Sequence, residues 1–451
     1  MVEPGKHMLC SLEHAMQLEG VVMDLARPRN DWRILLLVFT LAGVVESQAF
    51  GHLSAFTPLY LQQLHVPRRQ IPEWTGILSA LAFVIGIPLL PFWGVWADRF
   101  SRKFIIVRSA YIEGLLFTVA ALAPNVYVLA LARFLAGFVL GNTGVMLALL
   151  ADVTPRQRLG LAVGLASAGF PLGSSIGPFL GGLIAAGPGI RVLLLIDAVA
   201  SASIGILLTF VVHDEPKLRQ SGQSALQGIS AAVRDIIYSP VVVRLFLLYF
   251  AAMFGYSMVM PFVPLRLQQL YLGPAKLLPT TIGIALTAAG IAMALTTPLW
   301  GRLGDRIGRW NTLPTCIGAV AIGIFVEGLA PSILPLQAAI VWVGLFLGGI
   351  GTTVVALLAL LSPPDRRSSI LNFSLLPSQL SWFFAPILGA ALASLSLRLP
   401  FFVGAAALGG ACVLAIALVV YSRRDQAGAP STEDDVAASS AVSSPVKAAS
   451  R

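Results

Sequence analysis

Long apolar runs separated by short polar breaks fill this chain from about residue 33 to residue 421. They cover 33–63, 74–96, 104–122, 125–150, 161–186, 190–212, 241–270, 280–300, 311–330, 334–361, 370–396 and 400–421. Most reach or exceed the roughly 20 residues a helix needs to cross a bilayer. In hydrocarbon every backbone polar group needs a partner inside its own segment, so the pattern predicts twelve transmembrane helices, spans 1 to 12 in chain order, kinked where Pro and Gly fall. The breaks predict the rest. Residues 213–240, from His213 to Pro240, read as a polar cytoplasmic linker between bundles at 33–212 and 241–421. After Tyr421 the chain turns to Ala, Ser, Pro, Glu and Asp, which predicts a disordered cytoplasmic tail over 422–451. Residues 1–32 show no signal-peptide pattern and read as a cytoplasmic lead-in or an overextended start, with no function assigned.

The two bundles repeat one another. Pro91-Phe92-Trp93-Gly94-Val95-Trp96-Ala97-Asp98-Arg99-Phe100-Ser101-Arg102 returns as Pro298-Leu299-Trp300-Gly301-Arg302-Leu303-Gly304-Asp305-Arg306-Ile307-Gly308-Arg309, identical at six of twelve positions. Pro58-Leu59-Tyr60-Leu61-Gln62-Gln63-Leu64 likewise returns as Pro264-Leu265-Arg266-Leu267-Gln268-Gln269-Leu270. Matches in nearly one register mean an internal duplication. An even number of spans separates the copies, so both bundles share one orientation, the arrangement of transporters whose site lies between the halves near the midplane.

Composition narrows the class. At 57% hydrophobic and 11% charged residues, the chain cannot clothe a water-facing surface. Its net charge of +9 follows topology. With the amino terminus cytoplasmic, six of the 30 Lys and Arg fall on the opposite side (Arg68, Arg69, Arg191, Arg266, Lys276, Arg398), Arg133 falls within a span, and the other 23 are cytoplasmic. Both termini are therefore expected in the cytoplasm, in a plasma (inner) membrane protein with the lipid bilayer as partner and no nucleic acid. Cys10, Cys316 and Cys412 are too scattered for a disulfide framework or a metal site. There is no G-x-x-x-x-G-K-[ST] loop for ATP, no nucleophile–base constellation and no clustering of His7, His14, His52, His65 and His213. No enzyme activity, cofactor or metal is expected, and the energy source should be an ion gradient.

The loop Gly94-x-x-x-Asp98-Arg99-x-x-Arg102-Lys103 resembles the signature of the major facilitator superfamily, with Ser101 where Gly is commoner and Gly308 supplying it in the second copy. The likeness covers about 33–421 and implies that family's all-α membrane fold: twelve transmembrane helices in two parallel-repeat six-helix bundles. It also implies a gating role for Gly94, Asp98, Arg99, Arg102 and Lys103 and for Gly301, Asp305, Arg306 and Arg309, which latch the halves in the outward-facing state; loop anchoring by charge is the plainer reading. In span 5, Gly169-x-x-x-Gly173-x-x-x-Gly177-Pro178-x-x-Gly181-Gly182 stacks glycines on one helical face for close packing, and Pro178 should bend the span. Gly173, Gly177, Pro178, Gly181 and Gly182 resemble the antiporter motif of the drug–proton exchangers, twelve-span multidrug efflux carriers; Ala385-Pro386-Ile387-Leu388-Gly389-Ala390 is its degraded copy.

Leu129-x-x-x-Arg133-x-x-x-Gly137 resembles the span 4 motif that the family associates with proton transfer, and Asp152-x-x-Pro155-x-x-Arg158 fits the loop after it. A charge at such depth is costly and usually paired. At ~1.5 Å per residue, Glu46 lies roughly 20 Å from the cytoplasmic end of span 1, Arg133 about 18 Å and Glu113 about 14 Å. Spans 1 and 4 line the cavity in this family and span 3 does not, so Glu46 is the preferred partner. Desolvation favours the neutral carboxyl and a nearby guanidinium the ionised one, a competition that suits a proton carrier. A static Glu46–Arg133 pair stays open as the alternative. Asp197 and Glu327 read as interhelical or interface acids, and His52 as a residue bonded to a neighbour, or else a relay.

Tyr249, Phe250, Phe254 and Tyr256 of span 7, with Trp342, Phe346 and Trp382, suggest a greasy substrate cavity suited to flat, lipophilic or cationic compounds; core or lipid-facing packing competes for each. The expected function is proton-coupled export of small molecules by alternating access, by a monomer. A symporter or facilitator importing a small metabolite on the same fold, or a transport-dead membrane sensor, are the alternatives.

Overall fold

A computed structural model of the chain describes residues 30–99, 101–139, 141–213, 234, 236–362, 370 and 373–428, except for the side chains of 90, 91, 94, 95, 98, 99 and 421–428. Most of the expected lead-in, linker and tail (1–29, 214–233 with 235, and 429–451) lies outside the described residues. What is described is helical, with twelve helices long and apolar enough to cross a membrane. They are span 1 Trp32–Gln63, span 2 Ile71–Arg99, span 3 Arg102–Ala121, span 4 Val126–Val153, span 5 Leu159–Ala186 and span 6 Ile190–Val211. In the second half they are span 7 Pro240–Leu270, span 8 Leu278–Ile307, span 9 Arg309–Leu329, span 10 Ile333–Leu361, span 11 Leu376–Leu395 and span 12 Leu399–Gly428.

Local chemistry sets several boundaries. Span 3 starts at Ser101, whose hydroxyl accepts from the Phe104 amide at 2.8 Å, and the outer part of span 4 starts at Asn125, which caps Tyr127 and Val128. Span 8 ends at Gly308, whose φ of 89° favours glycine and turns the chain directly into span 9. Span 4 is not one helix. Its α-helix stops at Leu135, a 3-10 turn covers Ala136–Phe138, Gly141 has a φ of 93°, and helix resumes at Asn142.

Packing obeys the duplication. Span 1 lies along span 5 as span 7 lies along span 11, span 3 along span 6 as span 9 along span 12, and span 2 against span 4 as span 8 against span 10. The halves meet through two matching seams, span 5 with span 8 and span 11 with span 2. One apolar cluster runs through both halves: it extends along the second half and, in the first, fills the end away from the start of span 1, where Phe56 and Leu61 join Leu267 and Ile282. On the entry face, where span 1 begins and span 12 ends, the first half has its own separate cluster, including Leu35, Phe39, Ile106, Leu150 and Leu208. The bundles are joined at the opposite face and parted at the entry face.

The repeated Pro-Leu-x-Leu-Gln-Gln-Leu segment explains the joined end. Tyr60 donates its hydroxyl to Ala120 O at 2.6 Å, covering the last carbonyls of span 3. Its counterpart Arg266, fully buried, donates to Ala330 O at 2.8 Å and Gly328 O at 3.3 Å at the end of span 9. Different side chains thus perform one capping duty, and Arg266 is not the loop cation its position along the chain predicts. Between them Gln62 and Gln268 exchange amide hydrogen bonds at 3.0 and 3.2 Å, each meeting its own repeat partner. Arg266→Leu is expected to leave two buried carbonyls without a donor and cost about 1–3 kcal/mol. Thermal unfolding in detergent should show a lowered midpoint; an unchanged one would mean that Arg266 does not hold this end.

Candidate functional site

The span 5 glycines face two ways. Gly169, Gly173, Gly177 and Gly181 lie four apart against span 1, where a β-carbon would run into Thr40, into Val44 and Ser47, into Gln48, and into the His52 ring. On the other side a β-carbon on Gly182 would sit 2.7 Å from Pro279 O, and one on Gly283 of span 8 would overlap the Pro178 carbonyl. Phe179 donates its backbone N–H to Thr287 Oγ1 at 3.0 Å across this seam, and Thr280 donates to Gly182 O at 3.2 Å. The matching seam uses the degraded copy, with Pro386 O abutting Gly76 of span 2, while Gly389 packs on Met258 O of span 7 within the second half. The motif closes the opposite face against both neighbours of span 5. At the entry face, β-carbons on Gly160, Gly164 and Gly301 would meet nothing within 4 Å.

The buried acids of the first half gather inside its bundle. His52 Nδ1 lies 2.9 and 3.0 Å from the two carboxyl oxygens of Asp197, and Nε2 lies 2.8 Å from Gly177 O. Both side chains are buried. Glu113 of span 3 lies in electrostatic range of Asp197 and Glu46 and faces the Ser201 hydroxyl; Glu46 faces Asn142, the first residue of resumed helix in span 4. Among the described residues no three His, Cys, Asp or Glu are close enough to hold a metal ion.

The expected Glu46–Arg133 pair does not form. Arg133 donates Nε to Leu78 O at 3.0 Å and lies 6.0 Å from the Phe50 ring, one helical turn beyond Glu46, with no carboxylate of the described residues in ion-pair range. Depth counted from helix ends fails here because span 1 is 32 residues long, well beyond a hydrocarbon core. Glu46 also turns inward. It shares the helix face of buried Leu35, Phe39 and Leu53, opposite exposed Leu37 and Leu41.

Arg133 is not the only cation inside a span. Arg108, in the second turn of span 3, stacks 3.7 Å over the Trp93 ring and donates to Phe138 O at 2.9 Å. That carbonyl belongs to the broken stretch of span 4, where the regular helical acceptor pattern lapses. Gly137 lets the same stretch press on span 2, since a β-carbon there would overlap Ala82 O. Arg108 therefore supports an irregular backbone within the bundle, which is how such backbone is tolerated at membrane depth. The glycines of Ala136-Gly137-Phe138-Val139-Leu140-Gly141 were the available signal for this break.

At the entry face, Arg102 pairs with Asp152 at the end of span 4, and Arg309 pairs with Asp305 at 2.7 Å. Both pairs stay within one half. The side chains of Gly94, Asp98 and Arg99 lie outside the described set; Lys103, Gly301 and Arg306 sit at the same face. Of the aromatic candidates, Tyr256 and Trp382 meet edge-on at 6.2 Å between spans 7 and 11, Phe250 and Phe254 pair at 5.5 Å, and the Tyr249 hydroxyl points towards Gly351 of span 10. Trp342 and Phe346 turn elsewhere: Trp342 donates Nε1 to Ala319 O of span 9, and Phe346 bridges Trp342 to Trp300 of span 8. Glu327 is buried near Tyr256, apart from the acids of the first half.

The model of the family described as "Major Facilitator Superfamily" matches residues 38–278 and 245–450. The multi-drug resistance efflux pump PmrA homolog of Lactococcus lactis is 28% identical over 397 residues, covering 87% of this chain and 95% of that protein. The multidrug resistance protein MdtG of Escherichia coli is 30% identical over 295 residues, 64% of this chain and 71% of that one. Among solved structures, the nucleoside transporter NupG superposes with a TM-score of 0.69 at 15% identity, over 86% of this chain and 99% of that one. A bacterial homolog of the human lysosomal transporter Spinster, in an inward-facing and unoccupied conformation, gives 0.67 at 16% identity, over 86% and 96%. At such identities these two establish the fold alone.

Proposed function

The chain belongs to the major facilitator superfamily, and from that membership we propose that this secondary transporter exports small lipophilic or cationic compounds in exchange for protons. The observation that carries the direction is the span 5 glycine ladder, built into both the span 1 contact and the seam with span 8. It is the motif whose likeness is to exchangers, and the efflux names of the PmrA and MdtG relatives point the same way. The two bundles rock about the seams. The entry face is the cytoplasmic one, the membrane is the plasma membrane, both termini are cytoplasmic, and one copy suffices.

Glu46, Glu113, Asp197 and His52 form the proton-exchanging set, enclosed in the first bundle, while the cargo lies between the bundles against Tyr249, Phe254, Tyr256 and Trp382. Separating proton from cargo in this way supports broad cargo choice, because no cargo need replace a proton on a shared carboxylate. The entry-face loops bring Asp98, Arg102, Asp305 and Arg309 to partners across the halves when that face closes.

Intact cells test this reading. Cells producing the protein should accumulate less of a fluorescent lipophilic cation than control cells, and a protonophore should remove the difference. Greater accumulation in producing cells would mean uptake and would end the export reading.

A further inference from the structure

His52 contacts the backbone of the span 5 motif through one ring nitrogen and a buried acid through the other. Both contacts need a proton. The Gly177 carbonyl can only accept, so Nε2 must carry a hydrogen; the Nδ1–Asp197 contact needs a second, on either atom. An imidazolium facing a carboxylate and an Nε2–H tautomer facing a carboxylic acid hold the same two protons, so the described geometry is the loaded state of the pair.

We propose that His52 and Asp197 form a proton-operated catch on span 5, loaded when the opposite face is closed and released when the pair loses one proton. The inference rests on the proton-coupled reading above. After one proton leaves, the remaining one stays between Nδ1 and Asp197, because a carboxylate is a stronger acceptor than a carbonyl. Nε2 is then bare, with its lone pair towards Gly177 O at what was a 2.8 Å hydrogen bond. Attraction becomes repulsion at the residue preceding Pro178. The same segment bears the seam: Pro178 O abuts Gly283, and Phe179 N–H reaches Thr287. Gly181 supplies the space for the imidazole, since a β-carbon there would overlap His52 Cδ2. A glycine that sequence assigns to helix packing thus doubles as a seat for the ring.

The surroundings give the proton a route. From span 3 Glu113 faces Asp197, and Glu46 of span 1, the half-buried member of the set, stands within range of Glu113. Span 6 adds Ser201, and span 5 has no ionisable residue between Leu159 and Ala186. The proton passes from the pair to the Glu113 and Glu46 carboxyls and out at the entry face. Loading closes the opposite face and unloading there frees it to open, which is the order an exchanger requires.

The test is a distance measurement on the full chain. Spin labels at Gln63→Cys and Leu272→Cys, with the native cysteines replaced, report the opening of the opposite face. In the otherwise unaltered protein the open population should grow as the pH is raised from acid to mildly alkaline, by at most about tenfold per pH unit for one linked proton. His52→Gln keeps an N–H donor for Gly177 without titrating, and Asp197→Asn keeps a neutral imidazole on its Nε2–H tautomer. Both should stay closed across the range. Gly181→Ala, which displaces the ring, should be open across it. His52→Gln and Asp197→Asn proteins with the unaltered pH response, or no pH response in the unaltered protein, would overturn the catch. A pH-dependent opening lost in both variants, in a protein that exchanges no cargo for protons, would count against the exporter reading alone.

Discussion

Glu46→Gln is expected to reduce cargo-dependent proton movement to background while leaving the protein folded. Glutamine matches glutamate in size and still presents polar atoms to Asn142, but it cannot gain and lose a proton. Glu46 is the half-buried member of the acid set, so on the proposed route its loss cuts Glu113 and Asp197 off from solvent. The thermal midpoint in detergent should move by no more than a surface substitution moves it, about 0.5 kcal/mol in stability. A Glu46→Gln protein with full proton exchange would remove Glu46 from the path.

Gly283→Ala should produce the second large effect, and on conformation. Its new methyl group would overlap the Pro178 carbonyl, a backbone atom that cannot swing aside as a side chain can. Overpacking of this kind costs about 1–3 kcal/mol, which shifts the closed-to-open ratio at the opposite face by roughly 5- to 150-fold. Gly76→Ala should do the same at the pseudo-symmetric seam, against Pro386 O. Gly410→Ala, on span 12 away from both seams, meets nothing within 4 Å and serves as the control. Accessibility of a single cysteine introduced by Gln62→Cys to a membrane-impermeant thiol reagent, in a background without the native cysteines, reads the result. Equal labelling in Gly283→Ala and Gly410→Ala would mean that the seam does not set the closed state.

The twelve spans, their pairing into repeats and the glycine ladder were legible because each depends on a pattern along one segment. Hydropathy locates helices, and four-residue spacing locates a packing face. The acid set was only partly legible. Glu46 and Glu113 stood out as intramembrane acids, but choosing Glu46 as the partner of Arg133 required a depth scale that the long spans 1 and 4 do not provide. The face of Glu46 was readable from its register with Leu35, Phe39 and Leu53. His52 and Asp197 stand 145 residues apart, and nothing in either segment announces their contact. Arg108 escaped notice because positive-inside counting assigns cations near a span end to the adjoining loop, whereas its target, Phe138 O, exists only because span 4 breaks. Trp342 illustrates the converse: an aromatic on a cavity-lining helix can still face its peripheral neighbour, here span 9.

Proton flux in inverted vesicles tests the central claim most directly. Vesicles energised to an acidic interior and exposed to lipophilic cations should lose part of their gradient on cargo addition, and the loss should vanish in the Glu46→Gln protein. A gradient untouched by any cargo, with the protein shown to be folded and cargo shown to bind, would contradict proton-coupled export.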